Sequence, residues 1–321
     1  MKHIAKRRNR AKMVEFHHIP VMLEEVLDTL EPAEGKTYLD GTLGGGGHTG
    51  ELLRRGATVY GVDRDADALA AATERLREYS AFHAIRGNFH DMKRLAEENA
   101  VPPLDGVLLD LGVSSFQLDT AERGFSYHAD APLDMRMDQS QPFTAEELVN
   151  TWPKEEIARI LRDYGEESWA DRIAAILVEH RQQAPLRTTG DLVRAVDAAI
   201  PRKVRDKDKG HSSQKTFQAI RIAVNDELAP LAQALEDAVS LLRPGGRLCV
   251  ITFHSLEDRV VKQTFRRMEN PCTCPPGLPV CICGKKPTVR LVWRGAEKPS
   301  KEEIDQNPRA RSAKLRAAEK L

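Results

Sequence analysis

An aspartate and four consecutive glycines near the start of the chain have the clearest potential for chemistry. Asp40 ends a short strand-like stretch, and Gly44–Gly47 follow in the loop after it. Glycine loses more backbone entropy on folding than other residues, so such a run implies that something must approach the bare main chain. The residues after the glycines have a helical pattern, and the N-terminus of a helix offers unpaired N–H groups and a positive dipole end. The pattern predicts a ligand held against backbone.

A second carboxylate narrows the class of ligand. Gly45, Gly47 and Gly50 match the spacing of a dinucleotide-binding loop. Asp63 ends the next strand-like segment, where an acid suits ribose hydroxyls, so a nucleoside-containing cofactor is predicted. The pyrophosphate of NAD would be repelled by Asp40, whereas the sulfonium and ammonium groups of S-adenosylmethionine would be attracted. The alternative, in which Asp40 only orders the glycine turn, stays open.

Asp110 is the predicted catalytic residue. It follows the apolar run Val107–Leu109, which is typical of a buried strand. Ligands of doubly wound sheets bind outside the carboxyl ends of the strands, so Asp110 is expected at the same edge as the cofactor. For an exocyclic amine as methyl acceptor, a nearby oxygen holds the N–H and localises the lone pair for in-line attack. The alternative is that Asp110 only caps a turn.

The elements that must position these residues alternate between strand and helix up to Asp110 and again after Thr216. This alternation predicts an α/β fold, with a Rossmann-like, doubly wound and mostly parallel sheet. Residues 121–215 have a helical pattern without any strand signal, which predicts an inserted all-helical domain. After it we expect one helix over residues 223–242, a turn, and a fifth strand over residues 247–253.

Charge and hydropathy bound the class of protein. The chain has 321 residues with a formal net charge of zero, so its overall charge indicates no acidic partner. Both ends are locally basic, with six Lys or Arg among the first twelve residues, which suits nucleic acid or a solubilising tail. There is no apolar run long enough for a membrane span and no signal-peptide pattern, so we predict a cytoplasmic protein without a membrane partner.

Four of the five cysteines lie in one proline-rich stretch, here called the four-cysteine cluster. Its members are Cys272, Cys274, Cys281 and Cys283. They do not indicate a disulfide framework. Two Cys-x-Cys pairs can supply four thiolates to one zinc ion, but the spacing is tighter than the usual Cys-x-x-Cys, and reduced thiols in a loop are the other interpretation. From sequence alone no metal site is predicted.

Several long motifs resemble the RsmH (MraW) family. They include YLDGTLGGGGHTGELL, DGVLLDLGVSSFQLDTAERGFSYHADAPLDMRMD and RPGGRLCVITFHSLEDRVVK, and the resemblance runs from about residue 18 to the C-terminus. It implies a class I methyltransferase domain with a helical insertion. It also implies methylation of the N4 amine of a cytidine in the decoding region of bacterial 16S ribosomal RNA, with S-adenosylmethionine as methyl donor.

The resemblance, with the glycine pattern, also supplies the predicted site residues. The cofactor is expected to contact Gly45, Gly46, Gly47, His48, Asp63, Phe89, Asp110 and Gln117. The RNA is expected to contact Asp134, Arg136, Lys215, Arg221 and His254. Glu257 and Asp258 are expected near the same mouth as His254. A basic run from Arg202 to Lys215 is the predicted phosphate-contacting loop, and the candidates for base stacking are Phe125, Tyr127 and Phe143, for which core packing is the alternative.

The predicted organisation has four parts. Residues 1–17 form a basic arm, 18–120 the first part of the methyltransferase domain, 121–215 the helical insertion that recognises RNA, and 216–321 the second part with the cysteine loop and a basic tail. The expected partner is 16S rRNA within the small ribosomal subunit, and a homodimer is left open. Two other functions are alternatives: an NAD-dependent oxidoreductase, and a non-catalytic ribosome-assembly factor with a vestigial cofactor pocket.

Overall fold

A seven-stranded sheet forms the centre of the protein in the computed structural model, which describes residues 20–206, 211–275 and 280–321. The strands are β1 (Thr37–Asp40), β2 (Thr58–Asp63), β3 (Phe82–Arg86), β4 (Leu104–Asp110), β5 (Leu242–Thr252), β6 (Val289–Leu291) and β7 (Lys314–Lys320). Their order is β3-β2-β1-β4-β5-β7-β6, with β1 to β5 parallel and β7 antiparallel to both neighbours. The predicted Rossmann-like α/β fold is confirmed.

Fourteen α-helices accompany these strands within the described residues. Those of the sheet domain are α1 (Leu23–Leu30), α2 (Gly47–Arg54), α3 (Ala66–Arg75), α4 (Met92–Glu98), α5 (Ser115–Asp119), α12 (Leu231–Leu241), α13 (Ser255–Glu269) and α14 (Lys301–Gln306). Those that follow α5 and precede α12 are α6 (Ala145–Thr151), α7 (Lys154–Asp163), α8 (Ala170–Gln183), α9 (Thr189–Ala199), α10 (Arg202–Arg205) and α11 (Gln214–Asn225). No helix in the described part of the chain is both long and apolar enough to cross a membrane.

The order of the strands decides where a ligand can bind. β1 pairs with β2 on one side and with β4 on the other, so the direction of chain progression reverses there. At such a switch point the loops diverge and leave a crevice outside the carboxyl ends of the strands. Asp40, Asp63 and Asp110 are the last residues of these three neighbouring strands. The topology therefore brings the three aspartates of the sequence analysis to one edge.

The helical insertion has an apolar core of its own. Ile157, Ile160 and Leu161 of α7 pack there. The core also takes in Phe217 and Val224 of α11, which lie beyond the predicted boundary at residue 215. Residue 215 lies in the first turn of α11, whose apolar face packs in the core of the insertion. A change in the sequence pattern marks where an element begins, but it does not show which core the helix packs against.

The single helix predicted over residues 223–242 is also wrong, because two helices cover this stretch. α11 ends where Asp226 takes a left-handed conformation with φ 47°. Pro230 stands directly before α12, and proline lacks the N–H that would continue a preceding helix. The apolar pattern on both sides of this break is helical, which conceals the interruption.

The predicted basic tail at the C-terminus is a strand. β7 lies between β5 and β6, with the side chains of Leu315 and Ala317 buried. Lys314 and Arg316 bind the carboxylate of Asp258, at 3.0 and 2.7 Å, so these charges are neutralised within the protein. The same contacts direct Asp258 towards β7 rather than towards the mouth of the site, where it had been expected. The basic arm at residues 1–17 lies outside the described residues, as do Lys207 and Lys209 of the basic run.

A buried ion pair joins the insertion to the sheet domain. Arg123 is 4% exposed and donates from Nη1 to Asp65 Oδ2 at 2.8 Å. Its Nη2 donates to the carbonyls of Arg136 and Met137, at 2.9 and 3.0 Å. Arg64 of the sheet domain adds a second link, since its Nη1 donates to the backbone carbonyl of Asn225 at 3.1 Å. One guanidinium thus holds the loop that enters the insertion against the start of α3.

Removing that guanidinium should be costly. Arg123→Met leaves the buried carboxylate of Asp65 without its cation, and we expect the free energy of unfolding to fall by about 3 kcal/mol. Urea denaturation of the whole chain measures this. Adding Asp65→Asn should recover part of the loss, since asparagine also caps a helix and carries no charge. A loss below about 1 kcal/mol in the single variant, a value typical of exposed pairs, would show that the pair does not hold the junction.

Candidate active site

The glycine loop connects β1 to α2, and three of its four glycines have internal reasons to be glycine. Gly44 and Gly46 have positive φ angles of 50° and 71°. A Cβ on Gly47 would lie 2.7 Å from Pro20 Cγ. Gly45 has neither reason, because its φ is not positive and no atom lies within 4 Å of where its Cβ would be. Gly45 therefore borders open space, as a cradle for a ligand requires.

Asp40 is almost completely buried and organises this loop. Its Oδ2 accepts a hydrogen bond from Thr49 Oγ1 at 2.7 Å, and its Oδ1 accepts from the N–H of Thr42 at 3.1 Å. Burial raises the pKa of Asp40 to about 6. These contacts match the alternative considered for this residue, in which the carboxylate orders the glycine turn.

Asp63 lies at the end of β2 and faces the other side of the same loop. Its Oδ2 accepts from the N–H of Gly44 at 2.7 Å, and its Oδ1 accepts from the N–H of Asp65 at 2.8 Å. Burial raises the pKa of this carboxyl group. Each carboxylate oxygen has a second lone pair, so Asp63 retains acceptor capacity for hydroxyl groups while it fixes the loop.

Asp110 differs from the other two aspartates because part of its carboxylate has no partner. Among the described residues, no donor reaches its buried Oδ1. Its Oδ2 lies 4.0 Å from Nδ1 of His48, and a quarter of the side chain is exposed. Burial, together with the charges of Asp40 and Glu257, raises the pKa of Asp110 to about 8. A buried acceptor without a donor is unfavourable, and this one fits a cationic ligand or the N–H of a bound amine.

Two residues fix the groups around Asp110. Thr42 Oγ1 accepts from the N–H of Asp110 at 2.6 Å, which ties the end of β4 to the glycine loop. His48 Nε2 lies 2.9 Å from the carbonyl of Val21, and a carbonyl only accepts, so the imidazole carries a proton on Nε2. Its Nδ1 is thereby turned towards Asp110. Thr42 was not among the predicted site residues, and no sequence pattern distinguishes its hydroxyl.

Gln117 and Phe89 were predicted to contact the cofactor, and both lie near this edge. Phe89 stands just beyond the carboxyl end of β3 and is half-buried. The amide of Gln117 is engaged at both ends, since Oε1 accepts from the N–H of Ser114 at 3.0 Å and Nε2 donates to Asp65 Oδ2 at 2.9 Å. These bonds hold the α5 turn over the site, and the predicted cofactor contacts stay predictions.

The cations predicted to contact RNA differ in whether a carboxylate of the protein already binds them. Arg136 forms a two-pronged ion pair with Asp134, at 2.9 and 2.7 Å. Arg221 does the same with Glu227, at 2.9 Å for both bonds. Lys215 is exposed, and its Nζ lies 3.3 Å from a backbone carbonyl. Of these cations, Lys215 is the one placed to meet a phosphate without first leaving a carboxylate.

Glu257, near the start of α13, interacts through its charge with Arg221 of α11 and with Asp110. His254 caps the start of α13, and its Nε2 lies 3.0 Å from Glu257 Oε1. Burial alone would raise the pKa of Glu257, but His254 and Arg221 outweigh it and lower the pKa. Glu257 therefore stays a carboxylate, and its charge is one cause of the raised pKa of Asp110.

The aromatic residues predicted to stack on RNA bases pack in the core of the insertion. Phe125 is buried there. Tyr127 stacks on His211 with the ring centroids 4.6 Å apart, and Phe143 stacks on Trp152 at 5.7 Å. Core packing, the alternative considered for these residues, accounts for all three.

Comparison with known proteins identifies close relatives. The model of a family described as the MraW methylase family matches residues 15–321. A protein of Symbiobacterium thermophilum named "Ribosomal RNA small subunit methyltransferase H" is 55% identical over 95% of this chain and 97% of its own length. One of the same name from Finegoldia magna is 48% identical over 96% and 100%. Among solved structures, an rRNA methylase from Streptococcus thermophilus is 13% identical, with a TM-score of 0.41 over 95% of this chain and 99% of that one.

The raised pKa of Asp110 makes stability depend on pH in a defined direction. The carboxyl group ionises near 3.8 in an unfolded chain and near 8 in the folded protein, so stability falls as the pH rises between these values. Asp110→Asn removes this penalty. Because the side chain is partly exposed, we expect the variant to gain about 2 kcal/mol over the parent between pH 5.5 and pH 9.

Urea unfolding at the two pH values measures this gain. The matched control is Asp28→Asn, which changes an exposed aspartate of α1. If the free energies of unfolding of Asp110→Asn and the parent differ by the same amount at pH 5.5 and at pH 9, the carboxyl group of Asp110 does not have a raised pKa.

Proposed function

The chain belongs to the MraW methylase family, and on that premise we propose that it methylates the N4 amine of a cytidine in the decoding region of 16S ribosomal RNA, with S-adenosylmethionine as methyl donor. Methylation of small-subunit rRNA rests on the family and on the printed name of the relatives. The nitrogen and the position in the RNA are the finer part of the proposal. The observation that carries it is the buried, unpartnered Oδ1 of Asp110 at the switch point of the sheet.

The described residues fit the cofactor. The open face at Gly45 admits a ligand to the main chain, and Asp63 keeps lone pairs for ribose hydroxyls. Asp110 offers a negative charge to a cation through Oδ1, while its Oδ2 lies 4.0 Å from Nδ1 of His48. When bound, the cofactor supplies an electrophilic methyl group on a positively charged sulfur. These features favour a methyl donor over NAD, and the oxidoreductase hypothesis does not agree with the family.

Asp110 has two tasks in this proposal. The lone pair of an aromatic amine is delocalised into the ring, and an acceptor on its N–H favours the pyramidal geometry needed for attack. Oδ1 of Asp110 is an acceptor without a donor among the described residues, and it lies at the carboxyl end of β4. Transfer of the methyl group leaves one proton too many on the nitrogen, and a carboxylate whose pKa lies near neutrality is suited to take it.

The proposal is tested with small subunits from cells that lack this protein. Incubation with the purified chain and isotope-labelled S-adenosylmethionine should place label in N4-methylcytidine, which nucleoside mass spectrometry identifies. We expect Asp110→Asn to reduce the rate at least ~100-fold, because the amide of asparagine carries no negative charge and cannot take up the proton of the amine. Asp28→Asn is the control and should retain the parent rate.

Three outcomes would count against the proposal. Label on another atom would overturn the N4 assignment, and an unchanged rate in Asp110→Asn would overturn the role of Asp110. Binding of the cofactor without any transfer to small subunits or to free 16S rRNA would favour the non-catalytic assembly factor considered from the sequence.

Cofactor binding should also release a proton from Asp110. Near pH 7 the carboxyl group of the free protein is mostly protonated, since its pKa is raised to about 8. A bound cation lowers that pKa and drives the proton off. Calorimetry at pH 7 in buffers of different ionisation enthalpy should therefore give close to one more released proton for the parent than for Asp110→Asn. An equal count in the two proteins would show that Asp110 does not face the cation.

A further inference from the structure

The segment between α13 and β6 has no packing that explains its shape. Within its described residues, 270–275 and 280–288, there is neither helix nor strand, and none of them belongs to an apolar core cluster. A hydrogen bond from the N–H of Thr288 to the carbonyl of Met268, at 3.0 Å, closes the base of the loop. Val280 and Ile282 are 71% and 78% exposed. Burial of apolar surface therefore does not hold this loop together.

The four-cysteine cluster nevertheless converges in this loop. All four Sγ atoms lie within 4.8 Å of one another. Sγ of Cys281 is 3.4, 3.6 and 3.8 Å from those of Cys283, Cys272 and Cys274, and Cys283 is 3.9 Å from Cys272. Four sulfurs at the usual Zn–S length of about 2.3 Å have tetrahedral edges of about 3.8 Å. The four separations given, 3.4 to 3.9 Å, lie close to that edge length, as expected of a tetrathiolate site.

The Cys-x-Cys spacing permits this arrangement. In extended backbone, residues i and i+2 point to the same side, so each pair presents both thiols to one centre. The intervening Ile282 points away from the thiols into solvent, as its exposure shows. Its N–H donates to Sγ of Cys274 at 3.3 Å, a contact that stabilises negative charge on sulfur. Spacing tighter than Cys-x-x-Cys is therefore no obstacle.

Neither disulfide bonding nor hydrogen bonding between thiols accounts for the convergence of the four sulfurs. A disulfide needs an S–S distance near 2.05 Å, and all four thiols are free and further apart. Four uncharged thiols make only weak hydrogen bonds to one another, too little to gather an exposed loop. A tetrathiolate metal site carries two net negative charges, and Lys285 and Lys286 follow directly after the last cysteine and its neighbouring glycine.

We propose that the four-cysteine cluster binds one structural zinc ion that clamps the loop between α13 and β6. Soft thiolates in tetrahedral geometry select zinc or iron, and zinc is the ion without redox chemistry. All four coordination positions are filled by protein thiolates, so the site is closed and has no position for a substrate. The α13 helix separates it from His254 by about 20 Å, and the ion shapes this loop without taking part in methyl transfer.

Metal content is the first test. The full chain, purified under reducing conditions without chelators, should contain about one zinc per chain by mass spectrometry of the elements. Cys281→Ser should lose zinc to a chelator at least about tenfold faster than the parent. Two controls should retain it: Cys249→Ala, which removes the buried thiol of β5, and Val280→Ala, which changes the same loop without touching a ligand.

Two further measurements use the parent protein, so they do not depend on whether a variant folds. Cobalt added to the metal-free parent should give thiolate-to-metal charge-transfer bands, and chelation should expose the loop to protease cleavage between Glu269 and Val289. Binding of S-adenosylmethionine should be unchanged by chelation, so failure here is distinct from failure of the proposed methylation. Zinc far below one per chain with no cobalt bands, bound iron in its place, or a mass deficit of two hydrogens per disulfide would each overturn the proposal.

Discussion

Three aspartates lie side by side at the carboxyl ends of β1, β2 and β4, where they are largely withdrawn from water. Burial of like charges raises each carboxyl pKa and costs stability unless donors offset it. Asp40 and Asp63 are offset by threonine and main-chain donors of the glycine loop. At Asp110 the offset is incomplete, because no donor among the described residues reaches its Oδ1.

The insertion is coupled to this edge through buried polar groups. Arg221 belongs to α11, pairs with Glu227 and lowers the pKa of Glu257, whose charge in turn acts on Asp110. Arg123 binds Asp65, and Arg64 binds the backbone carbonyl of Asn225, so the entering loop and the last helix of the insertion are both linked to the sheet domain. The domain proposed to meet RNA is therefore joined to the sheet domain by directional bonds, which fix its orientation more closely than apolar contact alone would.

Charged residues misled the sequence analysis more than apolar ones did. The C-terminal segment has the composition of a basic tail, yet Lys314 and Arg316 bind Asp258 and the segment pairs as a strand. Arg136 is a predicted RNA contact, and in the structure its guanidinium binds Asp134. A cation in a sequence shows only that a partner is needed, and a carboxylate of the same chain satisfies that need as well as a phosphate does.

Local sequence patterns are enough to predict the α/β fold, the helical insertion and the positions of Asp40, Asp63 and Asp110 at strand ends, because strand and helix periodicity and glycine are local properties of the chain. Only the tertiary structure shows that the carboxylate of Asp40 accepts hydrogen bonds from the glycine loop and α2, while Oδ1 of Asp110 has no donor among the described residues. It also decided that the two Cys-x-Cys pairs meet, and that α11 belongs to the core of the insertion. These outcomes depend on which groups come within bonding distance when the chain folds, and the periodicity of the sequence does not record that.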